Sequence, residues 1–157
     1  MNALDERHMR AAIAASRAAL AAGNRPYGAV LVTGGAELLV AGNEEVTSGD
    51  CTAHAETVLL RRARERFGAT ATIGATVYAS GEPCAMCCGA MFWAGVRRIV
   101  YAASQAEMAL VMGGSLLPIG ARAVLAGSVP RVVVDGPLLA AEAIAVLEAA
   151  AAAAAAG

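Results

Sequence analysis

Ala75-Thr-Val-Tyr-Ala79, then Ser80-Gly-Glu-Pro-Cys84-Ala-Met-Cys87-Cys-Gly-Ala-Met-Phe-Trp-Ala94, then Arg97-Arg-Ile-Val-Tyr-Ala102 is the stretch that decides the fold. A short β-prone run, a helical segment and a second β-prone run follow one another with turns of only a few residues. A connection of that kind joins parallel strands through a crossover. Pro83 suits the first turn of the helix, where its missing N–H would have found no partner. Cys84 and Cys87 lie three apart, so a helix places both sulfurs on one face. The positive end of the helix favours thiolate over thiol, which prepares them as metal ligands.

Upstream, Thr52-Ala-His54-Ala-Glu56 supplies what the cysteines lack. Zinc takes nitrogen and sulfur ligands in a tetrahedron, and a catalytic site keeps three protein ligands with the fourth position open. His54, Cys84 and Cys87 give that count. His54 and Glu56 stand about 200° apart around a helix, so they share a site only if the helix meets it end on. Thr52 is a good N-cap, which predicts a helix over 53–67 with its first turn at the metal. A water held by zinc is acidified to a pKa of roughly 7. Glu56 would move its proton to a ring nitrogen and then to a departing amine, so the motif points to hydrolytic deamination. The rival readings are a structural zinc corner or a redox pair at the cysteines, with a core histidine at His54. A structural site would need a fourth ligand from His8, Cys51 or Cys88, and Cys88 points away from Cys87 into a core position.

With 157 residues the chain is expected to form one domain over 1–157, with an Ala-rich tail at about 149–157 that frays. All 12 cationic side chains are Arg and the net charge is −1, which removes Schiff-base and P-loop lysines and leaves no overall footprint for nucleic acid. Arg61, Arg62, Arg64 and Arg66 read as a solvated helix face, and Arg97 and Arg98 in the same way. Metal chemistry accounts for most of the 4 cysteines, consistent with a reducing, cytoplasmic setting. No leader is expected, because Asp5, Glu6, Arg7 and Arg10 interrupt the N-terminal stretch. Glu142 and Glu148 break the apolar C-terminal segment, so no membrane span is expected either.

Along the chain, residues 4–22 suit an amphipathic helix with Leu4, Met9, Ile13 and Leu20 inward. Residues 28–33 and 36–46 read as strands about a Gly34-Gly35 hairpin turn. After the opening stretch come a less regular 105–126, a strand over 131–134 and a helix from Leu138. The sum is an α/β fold: a three-layer α/β/α sandwich on a five-stranded mixed sheet, with the zinc at the carboxyl ends of the strands.

The chain resembles the cytidine deaminase-like superfamily over about residues 4–134, and within it the guanine deaminase-like nucleobase deaminases. The resemblance is carried by Pro26-Tyr27-Gly28-Ala29-Val30, by Val46-Thr47-Ser48 before Asp50-Cys51-Thr52-Ala53-His54-Ala55-Glu56, and by Glu82-Pro83-Cys84 through Trp93-Ala94. It implies a Zn2+-dependent deaminase of a free base, acting as a homodimer. It further implies that Asn43 reads a polar edge of the base, that the Ala55 N–H binds the base carbonyl, and that Tyr27 and Trp93 pack around the substrate. Met108 to Ala126 departs from the guanine deaminase pattern. Guanine, cytosine, isocytosine and aminotriazines therefore stay open as substrates, and a tRNA-specific adenosine deaminase is the alternative.

Overall fold

Asn2 starts the first helix: its side-chain oxygen accepts the N–H of Leu4 and of Asp5, each at 3.0 Å, while the Asp5 carboxylate accepts the Asn2 N–H at 2.9 Å. The structure, a computed structural model, describes residues 1–114 and 117–156. Its elements are α1 (Ala3–Ala21), β1 (Gly28–Thr33), β2 (Ala36–Gly42), α2 (Glu45–Ser48), α3 (Ala55–Phe67), β3 (Thr76–Gly81), α4 (Ala85–Ala94), β4 (Arg98–Ala103), α5 (Gln105–Met112), α6 (Ala121–Val124), β5 (Val133–Asp135) and α7 (Ala140–Ala156).

The strands form one five-stranded sheet in the order β2-β1-β3-β4-β5. β1 runs antiparallel to both β2 and β3, whereas β3, β4 and β5 are parallel, as the strand-helix-strand spacing predicts. Gly34 and Gly35 both take positive φ, 58° and 80°, the backbone that a two-residue hairpin turn demands. Alternation along the strands sorts the core into two layers. Leu31, Val77 and Ile99 meet α3 and α4 on one face, and Val30, Tyr78 and Val100 meet α1 and α7 on the other. The fold is the expected three-layer sandwich.

α1 lies against the sheet through Met9, Ala12, Ile13, Ser16 and Ala19 rather than through the larger residues alone; Leu4 is exposed. The small residues let the helix backbone approach β1 closely. A Cβ on Gly28 would run into the Ala12 carbonyl oxygen and stand 2.5 Å from the Ser16 nitrogen, so the motif glycine is there for close packing.

Three expected element bounds are corrected: the end of β2, the start of α3 and the end of α7. β2 stops at Gly42 and does not reach Val46, because Asn24 captures the N–H groups of Val46 and Thr47 at 3.1 and 3.0 Å and curls them into α2. α3 begins at Ala55 with His54 as its cap, since Asp50 accepts both the N–H and the hydroxyl of Thr52 and holds that residue in a turn. Within the less regular 105–126, α6 is a single turn. α7 continues to Ala156, in keeping with the high helix propensity of alanine; Gly157, like Ser115 and Leu116, lies outside the described residues. Among the described residues no helix is long and apolar enough to cross a membrane.

Arg98 is not a solvated cation. Its guanidinium donates to Asp5 at 2.7 Å and to Asp135 at 2.8 Å, and the Tyr78 hydroxyl donates to Asp5 at 2.7 Å, tying α1 to β3, β4 and β5. The Arg98 hydrogen bond, ahead of the one from Tyr78, holds the Asp5 carboxyl well below its ordinary range. A depressed carboxylate contributes stability that is present above its unfolded pKa, about 3.9, and is lost as pH falls toward the folded value. The Asp5→Asn protein is therefore expected to be less stable than the wild type at pH 7. The gap should narrow by up to ~1.4 kcal/mol per pH unit below about pH 4. Urea unfolding at pH 7, 4 and 3 checks this; a gap independent of pH would disprove the linkage.

Candidate metal centre and active site

Two helix starts face each other beyond the carboxyl end of β3. His54, with φ −65° and ψ 155°, caps α3, and Cys84, with φ −69° and ψ 170°, caps α4. Both residues thus sit at the cap position and not inside the first turn, which leaves Pro83 just ahead of the helix. Cys87 follows in the first turn of α4, fully buried. The His54 Nδ1 lies 3.7 Å from Cys84 Sγ and 3.6 Å from Cys87 Sγ, and the three atoms fall within 4.8 Å of one another. Tetrahedral zinc, with Zn–S about 2.3 Å and Zn–N about 2.0–2.1 Å, would set each N···S separation near 3.6 Å. The donor set therefore fits zinc in both chemistry and spacing. Among the described residues this cluster is a threesome. Cys51 is exposed, Cys88 is buried with its thiol toward the Pro83 carbonyl, and His8 packs on the opposite layer beside Tyr78.

The electrostatics prepare the sulfurs for a cation. The Cys87 thiol and then His54 hydrogen-bond to the Cys84 sulfur and pull its pKa down to about 4, against the cost of burial. The same partnership, with burial, pushes Cys87 up. Contact with Cys84 is also the first cause that raises His54. Glu56, in the first turn of α3, is buried, and burial is the main cause that raises its pKa. One of its oxygens lies 3.5 Å from the Cys87 sulfur.

The remaining predicted residues divide into three that reach this end of the sheet and one that does not. Asn43 is 2% exposed, donates its N–H to the Tyr27 carbonyl at 2.9 Å, and has its side-chain amide engaged by Glu45. Tyr27 is half-buried, and the carboxylates of Glu56 and Glu45 add to the burial that raises its hydroxyl pKa. Ala55 is the first residue of α3, where a backbone N–H has no carbonyl one turn earlier to bind. Trp93 is 84% exposed and lines an outer groove between α3 and α4 with Thr57, Arg61 and Arg64. It stands two residues past the buried Met91, about 200° around the helix, and so on the opposite face. Within one chain it does not face the metal ligands.

Residues 2–103 match the sequence model of the cytidine and deoxycytidylate deaminase zinc-binding region. The chain belongs to this deaminase family. It is 42% identical over 84 residues to the guanine deaminase of Bacillus subtilis, covering 54% of this chain and 54% of that protein. It is 33% identical over 147 residues to a probable cytosine deaminase of Schizosaccharomyces pombe, covering 89% of this chain and 88% of the relative. A tRNA-specific adenosine deaminase of Agrobacterium fabrum is 37% identical over 106 residues, 68% of this chain and 70% of its own length. Among solved structures, that of a guanine deaminase from Nitrosomonas europaea superposes with a TM-score of 0.78 at 26% identity, over 94% of this chain and 84% of the other.

Two further carboxylates at this site have roles that the sequence motifs do not declare. Glu45 stands with one carboxylate oxygen 3.8 Å from His54 Nε2 and the other 2.6 Å from Asn43 Nδ2. Glu82, two residues before Cys84, accepts the N–H of Gln105 at 2.9 Å and of Ala121 at 2.8 Å, holding the starts of α5 and α6 against the cysteine loop. Their signal is a carboxylate next to a motif residue, which spacing alone does not separate from a solvated one. Glu107 is accounted for locally by its capping box with Ser104.

Proposed function

We propose that the chain is a zinc-dependent deaminase of a free aminated nucleobase or related heterocycle, of the guanine, cytosine, isocytosine or aminotriazine type, releasing ammonia. The observation that carries this is the near-tetrahedral spacing of His54, Cys84 and Cys87 with the buried carboxylate of Glu56 beside them. The free-base substrate is supported by Asn43, whose amide lies in a nearly sealed position, and by the guanine and cytosine deaminases among the relatives.

His54, Cys84 and Cys87 would hold Zn2+ as three protein ligands. When bound, zinc would supply an acidified water at neutral pH. Glu56 takes a proton at its carboxylate and delivers it first to a ring nitrogen and then to the departing amine. Burial raises its pKa toward neutrality, which suits a group that must both accept and donate. The elements of water end on the substrate as a carbonyl and on the leaving group as ammonia. Asn43 presents donor and acceptor to the ring edge, the Ala55 N–H meets the base carbonyl, and Tyr27 packs beside it. Trp93 takes no part in that pocket within one chain. A homodimer that buries it, and a cytoplasmic setting that keeps the cysteines reduced, complete the proposal.

The test is ammonia release by the zinc-loaded protein from guanine, cytosine, isocytosine, adenine, aminotriazines, cytidine and guanosine. Turnover of free bases and not nucleosides is expected. Deamination of tRNA with salt-sensitive binding, and none of free bases, would establish the alternative that the Agrobacterium relative represents. A chain with no lysine and a net charge of −1 is poorly equipped for that substrate.

A further inference from the structure

We infer that Glu45 is a positioning residue that couples the base-reading amide of Asn43 to the metal ligand His54 and sets the orientation of both. The inference rests on the proposed roles of those two residues, and its geometry is independent of them.

Asn43 and Glu45 hold each other twice. The Asn43 side-chain oxygen accepts the Glu45 N–H at 3.0 Å, and the Asn43 Nδ2 donates to the Glu45 carboxylate at 2.6 Å. A backbone N–H can bind only the oxygen of an amide, and a carboxylate can bind only its NH2. The two contacts therefore fix which end of the amide is which. One Nδ2 hydrogen and one oxygen lone pair remain, in an order that Glu45 has chosen, for a substrate edge.

The other oxygen of the same carboxylate faces His54 Nε2 at 3.8 Å, while His54 Nδ1 faces the two sulfurs. A metal-binding imidazole is oriented by the acceptor its other nitrogen meets, and loss of that acceptor typically costs 10–100-fold in metal affinity. Arg25, with Nε 3.3 Å from the Glu45 carboxylate, offsets the charge of a side chain only 15% exposed. One carboxylate thus touches the substrate side and the metal side of the site.

The experiment compares Glu45→Ala and Glu45→Gln in the full chain, with thermal melts of the metal-free proteins to confirm folding. Zinc affinity is read by chelator competition, which needs no substrate, and KM and kcat on the preferred base of the wild type. Both variants lack the charge facing His54, so both are expected to lose about tenfold in zinc affinity. Gln keeps an oxygen for Asn43, so its KM should stay within about twofold of wild type, whereas Ala should raise KM about tenfold with a smaller change in kcat. Unchanged zinc affinity in both variants, or an unchanged KM in Glu45→Ala, would overturn the inference. A wild type silent on every free base would strike the substrate proposal instead, and the zinc measurement would still decide the role of Glu45.

Discussion

Glu56→Gln should lower ammonia release by ~10²–10⁴-fold while the protein still binds one zinc per chain. The amide fills the same space and leaves His54, Cys84 and Cys87 in place, so the metal site survives. What it lacks is a group that can take up a proton and give it back. Glu56 is suited to both steps because its burial holds the carboxyl above its ordinary pKa, and it lies 3.5 Å from the Cys87 sulfur. Metal content and initial rates, measured on the same preparation, check the prediction. A variant that keeps its zinc and more than a tenth of its activity would remove Glu56 from the chemistry.

Gly28→Ala is the largest structural effect expected, a loss of at least ~3 kcal/mol in unfolding free energy. No rotamer relieves it. The new methyl would meet the main chain of α1 at Ala12 and Ser16 and the side chain of Ala15 at 2.7 Å, so the whole helix must rise from the sheet. Lifting α1 also strains the Asp5 carboxylate away from Arg98 and Tyr78. Urea unfolding of the variant gives the number directly. A stability within 1 kcal/mol of wild type would show that α1 can slide freely over β1.

What could be read from the residues alone follows from which interactions are local. The Gly34-Gly35 turn and the crossover through Cys84 declare themselves within a few residues of sequence, and the sheet they imply is present with the expected mixture of directions. The convergence of His54, Cys84 and Cys87 was readable because few residue types bind zinc, and because His54 and Glu56 make sense together only at a helix start. The positions that misled are those decided across the chain. Val46 leaves the strand because Asn24, far back in sequence, takes its N–H. Arg98 looks like any surface arginine until Asp5 and Asp135 converge on it from either side. Trp93 carries a resemblance in sequence but points outward, because its rotation about α4 is fixed by the burial of Cys87, Cys88 and Met91. Glu45 had no periodic signal at all; its neighbours are brought to it by the bend after β2.

The grip of Glu82 on Gln105 and Ala121 has a consequence for how this scaffold can be remodelled. Both partners are main-chain amides, so the carboxylate is blind to the side chains they bear. Side chains in the described parts of the segment between them can therefore vary without loosening its two attachments beside Cys84 and Cys87. At Gly120 a side chain would have to displace that grip, because a methyl there would sit 2.9 Å from the gripping oxygen.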